Sequence, residues 1–297
     1  MATCDDVIEA ARTSIGAATR SLLTGQGAAP ARPDASRADA GLFGPASVTW
    51  RVHGDLSMLV GGLRALLLQT LHPLAMAAVA EHSDYRRDPL GRLHRTSAFL
   101  GTTTFGTSAA AEAAIATVRA IHERVVGIAP DGRPYRATDP HLLAWVHVTE
   151  VDSFLASYQR YGTATLTGPE ADGYVAEMAM IGERLGAREV PRTATELDAW
   201  LSGVRPELVA GGQAREAVRF LLVPPLPLAA RAPYGVIAAA AVELLPRWAR
   251  RMLWLPKAPG TSVVVRAGAG SLLRTLGWAL APAAETGSDT TPTSTAA

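Results

Sequence analysis

Apolar residues recur at helical spacing along almost the whole chain, and this period constrains the fold more than any other feature. Leu56, Leu59, Val60, Leu63, Leu66, Leu67 and Thr70 form one such face. Residues 5–23, 108–126, 139–160, 170–185, 195–202, 213–222, 234–252 and 271–280 read the same way. Only Thr261–Arg266 (TSVVVR) carries the β-branched density of a strand, and one strand makes no sheet. The expected fold class is all-α, a single helical bundle.

Punctuation residues place the breaks. Asp55 is a suitable N-cap, His72-Pro73 should end or kink the helix it closes, and Asp88-Pro89 opens the next. Gly101–Gly106 (GTTTFG) reads as a break and Gly127 as the residue closing the 108–126 helix. Thr138-Asp139-Pro140 opens a helix that Gly162 ends, and Thr167-Gly-Pro-Glu170 caps another. Residues 1–40 read as an N-terminal helix and flexible linker, 41–284 as the helical domain, and 285–297 as a disordered Ser/Thr/Pro tail.

Charge and cysteine content remove several classes of function. With 28 Lys+Arg against 27 Asp+Glu the net charge is +1, without the basic excess of a nucleic-acid binder. The single cysteine, Cys4, excludes an internal disulfide framework and a Cys-rich metal site. No signal-like start and no long uninterrupted apolar run stand out, so a cytoplasmic location is expected, with room for peripheral contact with a membrane. Walker A, G-x-S-x-G and H-E-x-x-H patterns are absent, and no Glu has His three residues on.

What remains is a set of histidines on apolar helices. His72, His122 and His147 each lie within an apolar run (LLLQTLHPLAMAAV, ATVRAIHERVVG and LLAWVHVTEVDSF). Each alone reads as an ordinary core histidine. Together, in an all-helical chain without cysteine ligands, they suit an iron ligand in a haem pocket. Haem propionates call for arginines, and Arg51, Arg64, Arg92, Arg95 and Arg119 lie in the same half. Arg92, Arg95, Thr96 and Phe99 share one helix face, an arrangement suited to propionates or a bound oxygen species; the plainer reading pairs these arginines with Asp84 and Asp88.

Six elements in order carry a family resemblance: WRVHGD from Trp50, LLLQTLHPLAMAAV from Leu66, HSDYRRDPLGRLHRT from His82, Phe105-Gly106, HERVVG from His122, and DPHLLAWVHVTEVDSFLASYQRYG from Asp139. Pro233–Pro256 also fits. The chain resembles the haem-dependent oxygenases grouped with the rubber-cleaving latex-clearing proteins and the fungal MpaB oxygenase. The resemblance implies a globin-like bundle holding one haem b (iron), with O₂ or peroxide, a small apolar or aromatic substrate and room for an electron donor. The family's R-x-x-x-T element maps onto Arg92 and Thr96, with Arg95 beside them. The proximal ligand falls on the following helix, which selects His122 as metal ligand, ahead of His147 and then His72. Arg64 and Arg92 are expected among the cofactor-binding residues. Arg92, Arg95 and Thr96 are the expected catalytic set, the arginines binding propionates or polarising the oxygen ligand and Thr96 hydrogen-bonding near the distal site. Two departures stand out. Arg95 occupies the position of a lysine that can ligate iron in the rubber-cleaving enzymes, and arginine is a poor ligand. The distal position is then expected to be open, water-bound, or taken by a group such as His94. The helix before the turn also lacks their carboxylate base, with Glu81 the nearest acid. Rubber is therefore not the expected substrate. A haem-binding sensor or carrier, or a cofactor-free interaction module, are the competing readings.

Overall fold

The computed structural model describes residues 39–255 and 260–281, together with Glu9, Arg12 and Thr13. The expectations for most of residues 1–40, for Lys257 and for the 285–297 tail lie outside the described residues. Twelve helices are described: α1 (Val48–His53), α2 (Met58–Gln69), α3 (Pro73–His82), α4 (Pro89–Phe105), α5 (Ser108–His122), α6 (Pro140–Tyr161), α7 (Gly168–Leu185), α8 (Ala194–Gly203), α9 (Gly212–Leu222), α10 (Leu228–Leu244), α11 (Arg247–Met252) and α12 (Thr261–Leu280). Two 3₁₀ turns, Asp84–Arg86 and Arg205–Glu207, punctuate them. The expected all-α class is what the structure shows. No single described helix is long and apolar enough to cross a membrane.

The local signals that set the helix ends are visible in place. Asp139 accepts from the His141 and Leu142 amides with Pro140 at the first turn of α6. Thr167 and Glu170 close a reciprocal capping box on α7. His72 is extended (φ −86°, ψ 114°), as a residue before proline prefers, and α3 leaves α2 at 106°.

Helix α6 is the central element. Trp145, Val148, Val151, Phe154 and Tyr158 are buried on it, and α2 packs along it, with α10 and α12 beyond and α7 and α8 alongside. The α2–α6 seam is close because Gly61 faces it: a Cβ there would sit 2.8 Å from Phe154 Cδ1 and 3.1 Å from the Ser153 carbonyl oxygen. Gly61→Ala is therefore expected to cost about 1–2 kcal/mol net, overpacking outweighing the roughly 1 kcal/mol gain in helix propensity. Urea denaturation reads this directly.

Four local expectations are corrected. GTTTFG is not a break: α4 runs through it to Phe105. Thr103 is buried and its hydroxyl donates within the helix to the Phe99 carbonyl, while Thr104 bonds to His53 on α1, so a local back-bond satisfies one threonine and a tertiary partner the other. Helix α5 stops at His122 rather than 126, because Val126–Ile128 pairs antiparallel with Pro134–Arg136, Gly127 opposite Tyr135. A Cβ at Gly127 would collide with the Tyr135 hydroxyl, which donates to Glu81. TSVVVR is helical, within α12, because Val265, Ala269 and Leu273 make one core-facing stripe that overrides β propensity. Residues 234–252 are two helices: Leu245 turns extended before Pro246 and separates α10 from α11.

Candidate functional site

Helices α4 and α5 form an antiparallel hairpin across Gly106-Thr107. At 1.5 Å per residue, Arg92 and His122 each lie about 20 Å along their own helix from that turn. Arg92 stands one turn into α4, which Asp88 caps by accepting from the Gly91 amide. His122 is the last residue of α5.

The two side chains share an unusual condition. Arg92 is half-buried, and burial lowers its pKa, with the neighbouring Arg95 charge adding to the effect. Its guanidinium donates to the Ser83 hydroxyl and has no carboxylate partner among the described residues. His122 is also half-buried, and burial alone pulls its pKa down, so the imidazole is neutral near pH 7. It makes no hydrogen bond or ion pair to a described residue, which leaves a ring nitrogen lone pair available. Nearby on the chain, Tyr85 is buried against Phe220 at 5.6 Å and its hydroxyl has no partner. Met76, Val79 and Phe220 make that corner apolar.

The other arginines named from the sequence are engaged differently. Arg51 pairs with Glu170 at 2.6 Å and Arg95, exposed, with Asp88 at 3.3 Å. Arg119 lies on an exposed face of α5. Arg64 is buried and spends its donors on Asp152 (2.6 Å), Ser153 Oγ (2.7 Å) and the Leu244 carbonyl (3.0 Å). Thr96 is exposed, and its hydroxyl donates to the Arg92 carbonyl at 3.1 Å, so it can only accept from anything else. His72 lies elsewhere, at the α2–α3 corner.

His147 sits in the interior on α6, against Gly182 of α7, where a Cβ would come within 2.9 Å of its ring. One turn on, Glu150 is partly accessible yet enclosed enough that desolvation pushes its carboxyl up to about 7. His53 bonds to Thr104 Oγ1 at 2.8 Å and to the Tyr174 hydroxyl at 3.1 Å. Burial takes His53 down to about 3 and His147 to about 4, so both are neutral in the fold. Sequence reasoning did not single out His53 or Glu150. Only the WRVHGD and HVTEVDSF contexts hinted at them, because their significance comes from partners on other helices.

These groups give a signed pH dependence. Unfolded histidine titrates near 6.5, so between about 6.5 and 4 the unfolded chain binds more protons and stability falls as pH falls. Glu150 acts oppositely: unfolded it ionises above about 4.5, folded only above about 7, so its contribution is lost as pH rises through that window. Glu150→Gln is expected to match the parent at pH 4 and to gain on it by about 1–3 kcal/mol at pH 8. Paired urea melts at the two pH values test it.

The catalytic-domain family described as ER-bound oxygenase mpaB/B′/rubber oxygenase matches residues 50–279. The chain belongs to this family. The match takes in every residue of the site just described, from Arg51 to Leu244, and all helices from α2 to α11. As a member of the MpaB/rubber oxygenase family it carries an oxygenase catalytic domain, with dioxygen and an organic substrate as the reactants that class implies. No curated protein and no solved structure matches the chain.

Proposed function

We propose that this oxygenase domain uses haem b, with His122 as the protein ligand to iron, and oxidises a small apolar or aromatic molecule. The observation that carries the reading is Arg92. Among the arginines named from the sequence it alone combines partial burial with the lack of a carboxylate partner among the described residues, and it lies as many helical turns from the α4–α5 connection as His122, which is neutral and has no side-chain partner among those residues. A desolvated cation is costly unless an anion joins it, and a propionate is such an anion. The donor set fits the group: a neutral imidazole for iron, a guanidinium for a propionate, and apolar side chains at Met76, Val79 and Phe220. Haem b bound here supplies the redox-active iron at which dioxygen or peroxide reacts. The chain's own part is to anchor, orient and exclude water. Arg92 holds the anionic edge, and Tyr85 adds a buried hydroxyl in the field of Arg86 and Arg92. Thr96 offers acceptor lone pairs only, because its proton is held by the Arg92 carbonyl. Arg64 is assigned to the core, since Asp152 and Ser153 already use it.

Rubber is not the proposed substrate. Arg95 is exposed and paired with Asp88, and no carboxylate stands in the body of α3, whose acid Glu81 accepts from Tyr135. The test is the purified chain expressed with haem supply. A Soret band and a pyridine haemochrome of the b type are expected, with oxygen uptake on apolar substrates. A haem-loaded protein that consumes no oxygen would make it a carrier, and a colourless one would remove haem from the account. Thr96→Ala is expected to keep its haem and lose about 2–10-fold in oxygen uptake, the equivalent of one hydrogen bond of about 0.5–1.5 kcal/mol.

A further inference from the structure

His72, His141 and Glu207 come from three separate segments: the α2–α3 corner, the first turn of α6 and the second 3₁₀ turn. Their donor atoms all lie within 4.8 Å of one another. His141 Nε2 is 2.9 Å and His72 Nε2 is 3.6 Å from the same Glu207 oxygen. Tetrahedral ligands on bonds of about 2.0–2.1 Å stand about 3.3 Å apart. The two measured separations bracket that edge. His141 and Glu207 are half-exposed, with the freedom to close the third.

His72 supplies the independent observation. It is 2% exposed; among the described residues Nδ1 has no hydrogen-bond partner, and Nε2 has none nearer than the Glu207 oxygen at 3.6 Å, beyond hydrogen-bond distance. A buried imidazole normally satisfies at least one nitrogen, and leaving both unmet is costly. The surroundings hold the ring still. The Val209 amide donates to the Leu71 carbonyl at 2.8 Å, tying the strand of chain after Glu207 to the residue before His72. Trp145 lies 6.0 Å from the His72 ring, Trp200 lies 5.7 Å from the His141 ring, and the two indoles stack on each other. Arg133, the nearby cation, is held by Asp131 at 2.7 Å.

We propose that His72, His141 and Glu207 bind one divalent transition-metal ion of the zinc type, with solvent completing the shell on the exposed side. Two imidazoles and one carboxylate are a nitrogen–oxygen donor set suited to such an ion and poorly suited to calcium or magnesium. The site is separate from the haem site proposed above. It stands at the start of α3, while Ser83, which Arg92 contacts, follows the far end of that ten-residue helix, about 15 Å along its axis. The ion would pin the α2–α3 corner to α6 and to the turn after α8.

The experiment uses the full chain, stripped with chelator and titrated with Zn²⁺ by calorimetry, with thermal melts and Co²⁺ absorption alongside. One equivalent bound, a raised Tm and the visible bands of tetrahedral Co²⁺ are expected. His141→Gln and Glu207→Gln, at half-exposed positions where folding should survive, are each expected to weaken Zn²⁺ binding about tenfold or more, while His122→Gln leaves it unchanged. Non-saturating binding, no rise in Tm, or variants that bind as the parent does would overturn the site. None of these readouts depends on haem.

Discussion

His122→Ala is expected to emerge without haem. In the haem reading proposed above the His122 imidazole would be the bond that holds iron to the protein, so its loss should exceed the roughly 10–100-fold that loss of an outer partner costs a metal site. The apo fold should survive. His122 is the last residue of α5, half-buried, and bonded to no described side chain, so its removal costs about 1 kcal/mol or less. That separation makes the result readable: helical circular dichroism near that of the parent, with the Soret band gone and added imidazole restoring part of it. His147→Ala is the informative contrast. It leaves a hole against Gly182 and should melt earlier, yet retain haem. The reverse pattern, haem lost from His147→Ala and kept by His122→Ala, would move the ligand into the α6–α7 interior beside Glu150.

The helices were readable from the sequence because their ends are set locally. Asp139 before Pro140, Thr167 with Glu170, and glycine at 162 and 186 act within one turn, and each lies where its chemistry predicts. The misreadings have the opposite character. Thr104 stays helical with its hydroxyl bonded to His53, 51 residues away, and Val265 stays helical because it packs on the core where its helix meets α10. In each case a partner far along the chain outweighs a weak local preference.

The candidate site divides along the same line. Arg92, Thr96 and His122 could be named because they lie on one hairpin, near in sequence and carried by a family pattern. Which arginine is left without an anion could not be. Arg64 and Arg92 look alike in the chain, both cations on apolar helices. Only the fold brings Asp152, 88 residues away, against one and leaves the other with a serine. The His72–His141–Glu207 cluster is still less legible, since no two of its members share an element.

Asp152→Ala is expected to be the most damaging single change in the core, costing about 3 kcal/mol or more. Arg64 is 4% exposed and Asp152 15%, and their bond of 2.6 Å is the only ion pair the guanidinium makes among the described residues. Removing the carboxylate leaves a buried cation, which costs about 3–5 kcal/mol in comparable pairs. Asp198 moderates the loss. Its carboxyl is raised by burial and by the Asp152 charge and lowered by the Arg64 charge, so it is a carboxylate that still faces Arg64 electrostatically once Asp152 is gone. Combining Asp152→Ala with Asp198→Asn should therefore destabilise by more than the sum of the two single changes. Replacing the pair together, Arg64→Met with Asp152→Leu, removes the charge along with its partner and should recover most of the stability. Denaturant melts of these four variants beside the parent decide the matter. If Asp152→Ala costs under about 1 kcal/mol, water reaches Arg64 and the pair is not sealed in the α2–α6 seam.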